Sequence, residues 1–167
     1  MKQTTLCYIC RGEEVLLLHR VKKKNDANHD KWIGVGGHLE WGESPEECVV
    51  REVLEETGLT LTDYAYRALV TFHSLSDNWC EYMHLFTAGG FTGSLRECDE
   101  GVLEWVRWDD MLRLPMWTGD RLFLDRLRTP GPFFSLKLTY QGDALVAAAL
   151  NGRPLPQAVW AAPPCAR

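Results

Sequence analysis

A helix with both ends written into the sequence organises the middle of this chain. Ser44 with Glu47 three residues later makes a capping box, Pro45 takes the first helical position, and Gly58 supplies a left-handed stop. Between these ends Glu52, Glu55 and Glu56 stand at i, i+3 and i+4, which puts three carboxylates on one face. Val50, Val53, Leu54 and Thr57 fall on the opposite face and are predicted to pack against a sheet. Such a helix needs strands to cover, and strand-like runs stand on both sides of it.

Three acids on one stripe repel, at a cost of about 0.2–0.5 kcal/mol per like-charge pair. A solvated acidic face is the common meaning of such a run. The functional alternative is a cation that removes the repulsion. Ligands made only of carboxylate oxygens suit a hard divalent ion such as Mg²⁺ or Mn²⁺, which keeps several waters and takes further ligands from substrate phosphates. Coordination acidifies water, and crowding raises the pKa of one carboxylate, so a glutamate here can serve as general base near neutral pH. The chemistry that follows is hydrolysis of a phosphorylated molecule. Arg51, four residues before Glu55, is placed to hold a carboxylate in position.

Written out, the stretch is Gly37, five residues, Glu43, seven residues, then Arg51-Glu52-Val53-Leu54-Glu55-Glu56-Thr57-Gly58-Leu59. It resembles the signature of the Nudix hydrolases, with every position matched. The resemblance implies an α/β fold, an α/β/α sandwich with a mixed β-sheet between helices. It also implies that Gly37, with Gly36 beside it, approaches the phosphates, that Arg51 orients, and that Glu52, Glu55 and Glu56 bind metal, with Glu56 as the base. Many members take a further metal ligand from the region of Glu100, an acid just before a strand that would otherwise read as surface.

Beyond the signature, residues 4 to 150 look most like the MutT-type members that hydrolyse oxidised purine nucleoside triphosphates such as 8-oxo-dGTP in nucleotide-pool sanitation. The similarity lies in KWIGVGG, CDEGVLEWV, the Met116-Trp117 to Asp120 segment and FFSLKLTYQGD. It implies that Trp117 stacks on the base, Phe72 lines the pocket and Asp120 hydrogen-bonds the purine edge. A Trp in a loop is more often packing, yet a flat indole is also the natural surface for a purine. Two positions depart from the mammalian members: Ile33 stands in place of an asparagine, and Gly119 in place of the first of two pocket aspartates. Loss of two such groups broadens purine specificity. Competing readings are a Nudix hydrolase for ADP-ribose or a dinucleoside polyphosphate, and a Nudix-fold binding module without catalysis. The latter need not keep Arg51, Glu52, Glu55 and Glu56 together.

The 167 residues suit one domain, expected over 1–150, with a Pro-rich tail over 151–167 in which AVWAA is able to dock on the body. A net charge of −5 gives no support for a nucleic-acid polymer as partner, which usually calls for a basic face. A small-molecule nucleotide would then be held by metal and local cations. Lys22, Lys23 and Lys24 form either a solvated charge run or a basic rim for the triphosphate, with Lys23 the choice for the latter. No stretch reaches the roughly 20 apolar residues of a membrane span, and a cytoplasmic location is expected. Six cysteines are too sparse for a disulfide scaffold. Cys7 and Cys10 sit three apart on a predicted strand, hence on opposite faces, which argues against a shared metal or redox site. Cys48 reads as a packing residue.

Further strands are predicted over Thr4–Cys10, Glu14–Arg20, Tyr64–His73, Cys80–Ala88 and Val102–Trp108, and as a hairpin of Phe133–Tyr140 with Ala144–Leu150. A flexible turn is predicted at Gly89, Gly90 and Gly93, a short helical turn over Asp109–Leu114, and a second long helix over Asp120–Thr129 packed through Leu122, Phe123 and Leu127.

Overall fold

The structure, a computed structural model, describes residues 1–22 and 28–161. In chain order its elements are β1 (Lys2–Arg11), β2 (Glu14–His19), β3 (Trp32–Ile33), α1 (Pro45–Thr57), β4 (Leu59–Ser74), β5 (Trp79–Gly93), β6 (Val102–Arg107), α2 (Trp108–Met111), α3 (Asp120–Leu127), β7 (Phe134–Gln141), β8 (Ala144–Leu150) and β9 (Arg153–Pro154). The strands form one sheet in the order β3-β2-β1-β5-β4-β7-β8-β9, with β6 also paired to β2. Because β1 runs parallel to β5 and β4 parallel to β7, while the other pairs are antiparallel, the sheet is mixed.

Alternation along the central strands feeds two cores. Cys7, Ile9 and Leu16 join Val49 and Val53 of α1 on one side, while Leu6, Tyr8, Val15 and Leu17 join Trp108, Met111, Phe123, Leu124 and Leu127 of α2 and α3 on the other. This is the α/β sandwich expected, with Cys7 and Cys10 divided between the two faces as their spacing predicts. Strand β7 alternates buried with exposed or half-buried residues, so only its α3 side is covered. No helix among the described residues is long and apolar enough to cross a membrane.

Helix α1 is capped as predicted. Ser44 and Glu47 complete a reciprocal box, and Gly58 lies at φ 78°, where a side chain would be strained. Its buried face differs by a small rotation from the expectation. Cys48 and Val49 are buried with Val53 and Thr57, whereas Leu54 is 44% exposed. The arc that meets the sheet centres on Val49 and Val53, and this draws Glu52 and Glu56 toward the interior while Glu55 stays in solvent.

Gly89 to Gly93 are not a turn but the end of β5, where Gly90 to Gly93 pair with Leu59 to Asp63 of β4 and Gly89 falls at a register shift. A Cβ at Gly90 would come within 2.8 Å of the Asp63 Cβ, so the glycine there serves close strand approach. Helix α3 ends at Leu127, two residues earlier than predicted, and packs through Phe123, Leu124 and Leu127, with Leu122 only half-buried. The tail is tied to the body: β9 pairs with β8, and Leu155 and Trp160 pack against the α3-side core.

Candidate active site

Helix α1 brings its acids to the loop that precedes it. Arg51 holds them in a fan. Its Nε and Nη2 donate to the two carboxylate oxygens of Glu43 at 2.6 and 2.8 Å, its Nη1 donates to Glu52 at 2.8 Å and Glu55 at 3.2 Å, and Nη2 also reaches the His38 carbonyl at 3.1 Å. Such a bidentate pair is the strong form of carboxylate recognition, and the Arg51 hydrogen bonds pull the Glu43 pKa down to about 2.

Among the described residues Glu56 has no such partner. One carboxylate oxygen accepts the Gly36 N–H at 3.2 Å. Burial, then the charges of Glu100 and Glu52, push its pKa up from an ordinary 4.5 to about 8. Glu100 is ion-paired to Arg20, just past the end of β2. The loop glycines are required by space. A Cβ at Gly37 would lie 2.5 Å from the Glu52 carboxylate, and one at Gly36 would lie 2.2 Å from the Thr5 carbonyl.

Among the described residues, no three carboxylate, imidazole or thiolate groups converge on one point as the structure stands. The donor set nonetheless fits a hard divalent ion, because it consists of oxygens and one member, Glu56, is driven toward protonation by burial and by neighbouring acids. The segment bearing Glu100 is anchored to α1 by Arg96. Its guanidinium donates to the carbonyls of Leu54, at 3.0 Å, and Glu55, and its backbone N–H donates to Thr57 O at 2.9 Å. Helix α1 has no basic residue in its own last turn, so Arg96 supplies the missing cation from outside.

A second group of residues assembles on the α3 side. The Trp117 ring meets Tyr140 edge-on with centroids 5.8 Å apart, and Phe72 stacks on Tyr140 at 6.5 Å. The Trp117 Nε1–H donates to Asn28 at 2.8 Å, and the Lys31 ammonium lies over the indole, 4.4 Å from its centroid. Asp120 is buried. Burial raises its pKa from 3.8 to about 7, against the pull of the Trp117 backbone and of Lys31. Gly119 donates its N–H to the Tyr140 hydroxyl at 3.0 Å.

The predicted set therefore falls into two clusters: Arg51, Glu52, Glu55, Glu56 and Glu100 with Gly36 and Gly37, and Phe72, Trp117 and Asp120 together. Lys23 lies outside the described residues. Reading the sequence did not single out Arg20, Asn28, Lys31, Arg96 or Tyr140. Each meets its site across a gap in sequence, and only Tyr140, in an aromatic-rich closing hairpin, carried a visible hint.

A family profile for the NUDIX domain matches residues 2–127. The chain belongs to the Nudix hydrolase family. Nudix hydrolases are pyrophosphohydrolases, and members of the family use divalent metal ions. This Nudix hydrolase is 33% identical over 132 residues to the uncharacterised Nudix hydrolase YvcI of Bacillus subtilis (strain 168), covering 75% of this chain and 78% of that protein. It is 31% identical over 122 residues to an oxidized purine nucleoside triphosphate hydrolase of Danio rerio, covering 73% of this chain and 76% of the relative. Its fold superposes on the crystal structure of a MutT protein from Bacillus halodurans with a TM-score of 0.81 at 27% identity, over 92% of this chain and all of that one.

Proposed function

We propose that this Nudix hydrolase cleaves purine nucleoside triphosphates, oxidised purines such as 8-oxo-dGTP among them, to the monophosphate and pyrophosphate. The observation that carries the reading is the placing of an indole beside a buried carboxylate, Trp117 with Asp120, at one end of a segment whose other end is the acidic cluster. Residues 31 to 37 run from Lys31 at the indole to Gly36 and Gly37 at Glu56 and Glu52. Extended, seven residues reach about 20 Å, which suits a base at one end and phosphates at the other. The names of the Danio rerio relative and the MutT structure agree with this reading.

In this mechanism Glu52, Glu55, Glu56 and Glu100 would hold a divalent ion, Mg²⁺ or Mn²⁺, which neutralises phosphate charge and acidifies water when bound. Glu56, whose carboxylate sits between Gly36 N–H and its acidic neighbours, takes the proton from the attacking water. The new bond is from that water oxygen to phosphorus, and the bond that breaks is the anhydride, its electron pair leaving with the departing phosphate oxygen. Arg51 bridges Glu52 and Glu55 and aims them, while Gly36 and Gly37 let the backbone lie close to the phosphates. Trp117 stacks on the base, Phe72 lines the cavity and Asp120 binds the purine edge. Lys23 stays assigned to the phosphate rim. The catalytic domain takes in residues 1–150, with the tail from 151 attached to it.

The test is release of pyrophosphate in Mg²⁺ with kcat/KM compared for 8-oxo-dGTP, dGTP, ATP, ADP-ribose and diadenosine tetraphosphate. A lead of tenfold or more for 8-oxo-dGTP, about 1.4 kcal/mol in transition-state binding, is expected. Equal or better turnover of ADP-ribose would overturn the reading.

Arg96 gives a second expected outcome. If it sets the place of Glu100 against α1, Arg96→Ala should raise the Mg²⁺ concentration for half-maximal activity by about tenfold, with Arg96→Lys recovering part of the loss. The same change made in a Glu100→Ala background should add little, and additive losses would count against the coupling.

A further inference from the structure

Three donors of the Trp117 to Asp120 loop are committed within the protein, and Thr118 between them is exposed. The indole N–H goes to Asn28, the Asp120 amide to the Trp117 carbonyl, and the Gly119 amide to Tyr140. Ile33 has no polar side-chain atom to offer. Position 119 has no room for one, because a Cβ there would lie 2.6 Å from both Leu138 Cδ1 and the Tyr140 hydroxyl oxygen. The conspicuous donor beside the platform is then the Lys31 ammonium, held over the indole.

An ammonium only donates, and an ionised carboxylate only accepts. Burial raises the Asp120 carboxyl to about 7, and Lys31 pulls it back toward the ionised, accepting form. Together the two groups match a C=O next to an N–H, which is a lactam edge. Adenine presents the opposite order, a ring nitrogen lone pair next to an amino group. With the triphosphate committed to the acidic cluster, the base enters one way round, and that order matters. A base stacking on the indole takes the ammonium's place over the ring and leaves it at the base edge.

We propose that Lys31 is a specificity-determining residue of this site, donating to the ring carbonyl of an oxopurine while Asp120 accepts the neighbouring N–H, so that the substrates are purine triphosphates with a lactam edge. This rests on the purine triphosphate reading above. A hydrogen bond to a charged group contributes enough for roughly a ten- to hundredfold effect.

The experiment compares kcat/KM for dITP and for the deoxynucleoside triphosphate of unsubstituted purine, which lacks only the lactam, using the full chain as wild type, Lys31→Met and Lys31→Arg. The wild type is expected to prefer dITP by tenfold or more. Lys31→Met, which keeps an unbranched stem over the indole, should reduce that preference at least tenfold, and Lys31→Arg should keep most of it. A loss shared equally by both substrates would show that Lys31 only braces Trp117 or attracts phosphate, and no change at all would remove it from the pocket; either result overturns the proposal. Wild-type turnover of both purine triphosphates without preference defeats the Lys31 assignment alone. Turnover of ADP-ribose with neither purine triphosphate cleaved defeats the underlying reading, and this proposal with it.

Discussion

Glu56→Gln is expected to reduce turnover by about a thousandfold while making the metal-free protein more stable at alkaline pH. The two effects have one origin. In the folded chain Glu56 keeps its proton up to about pH 8, because burial and the charges of Glu100 and Glu52 oppose ionisation, whereas the unfolded chain releases it near 4.5. The folded state therefore binds more protons between these values, and stability falls as pH rises through that window. The contribution is fully present below pH 4.5 and gone above 8. Glutamine cannot ionise, so the variant lacks this part of the slope. Melting temperatures of metal-free wild type and variant should agree near pH 4 and diverge by roughly 5–10 °C at pH 9, corresponding to a few kcal/mol. Asp120, raised to about 7, contributes a slope of the same sign to both proteins and cancels in the comparison. Parallel pH profiles would remove Glu56 from the place assigned to it, and near-normal turnover would put the base elsewhere.

Gly119→Asp should destabilise the fold rather than restore a missing reader of the base. The new Cβ would sit 2.6 Å from the Tyr140 hydroxyl oxygen and from Leu138, which is fully buried. Overpacking of that kind costs about 1–3 kcal/mol, and a carboxylate added without a donor costs about as much again. Asp120 next to it is already resisting ionisation. The expected result is a melting temperature lower by roughly 10 °C, partly recovered in the Gly119→Asp, Tyr140→Phe double variant, where the hydroxyl is gone. An unchanged melting temperature, read by differential scanning calorimetry, would mean that the hydroxyl moves aside freely and that the site tolerates two acids.

What the sequence showed clearly is what neighbours in the chain decide. Ser44, Glu47, Pro45 and Gly58 bound α1 because capping is local chemistry. Cys7 and Cys10 separate across the sheet because a strand alternates. The carboxylate cluster was legible because most of it lies on one helix. Tertiary contacts decided the rest. Leu54 is apolar, but the arc that meets the sheet was set by the strands beneath, and Cys48 took the place expected of it. Gly90 and Gly93 are poor strand formers held in β5 by pairing with β4. Arg20 finds Glu100 across 80 positions, and Tyr140 finds Gly119 across 21, pairings that no local pattern encodes. The departure at Gly119 looked like a simple loss until the hydroxyl from β7 was seen to occupy the space.

The stitching of residues 35 to 37 onto β1 bears on how such a chain diversifies. Val35 and Cys7 exchange both backbone hydrogen bonds, at 2.7 and 2.9 Å, and Thr5 N–H binds the Gly37 carbonyl at 2.8 Å. Strand β1 is itself covered on both faces. The span between platform and carboxylates is thus a property of main chain riveted to the sheet, and no single side-chain replacement can lengthen or shorten it. The side chains at positions 31 and 33 carry no such duty. On the proposed reading, a lineage built on this frame can trade one heterocycle for another by exchanging a few side chains, while the gauge that measures out the phosphate chain is inherited intact.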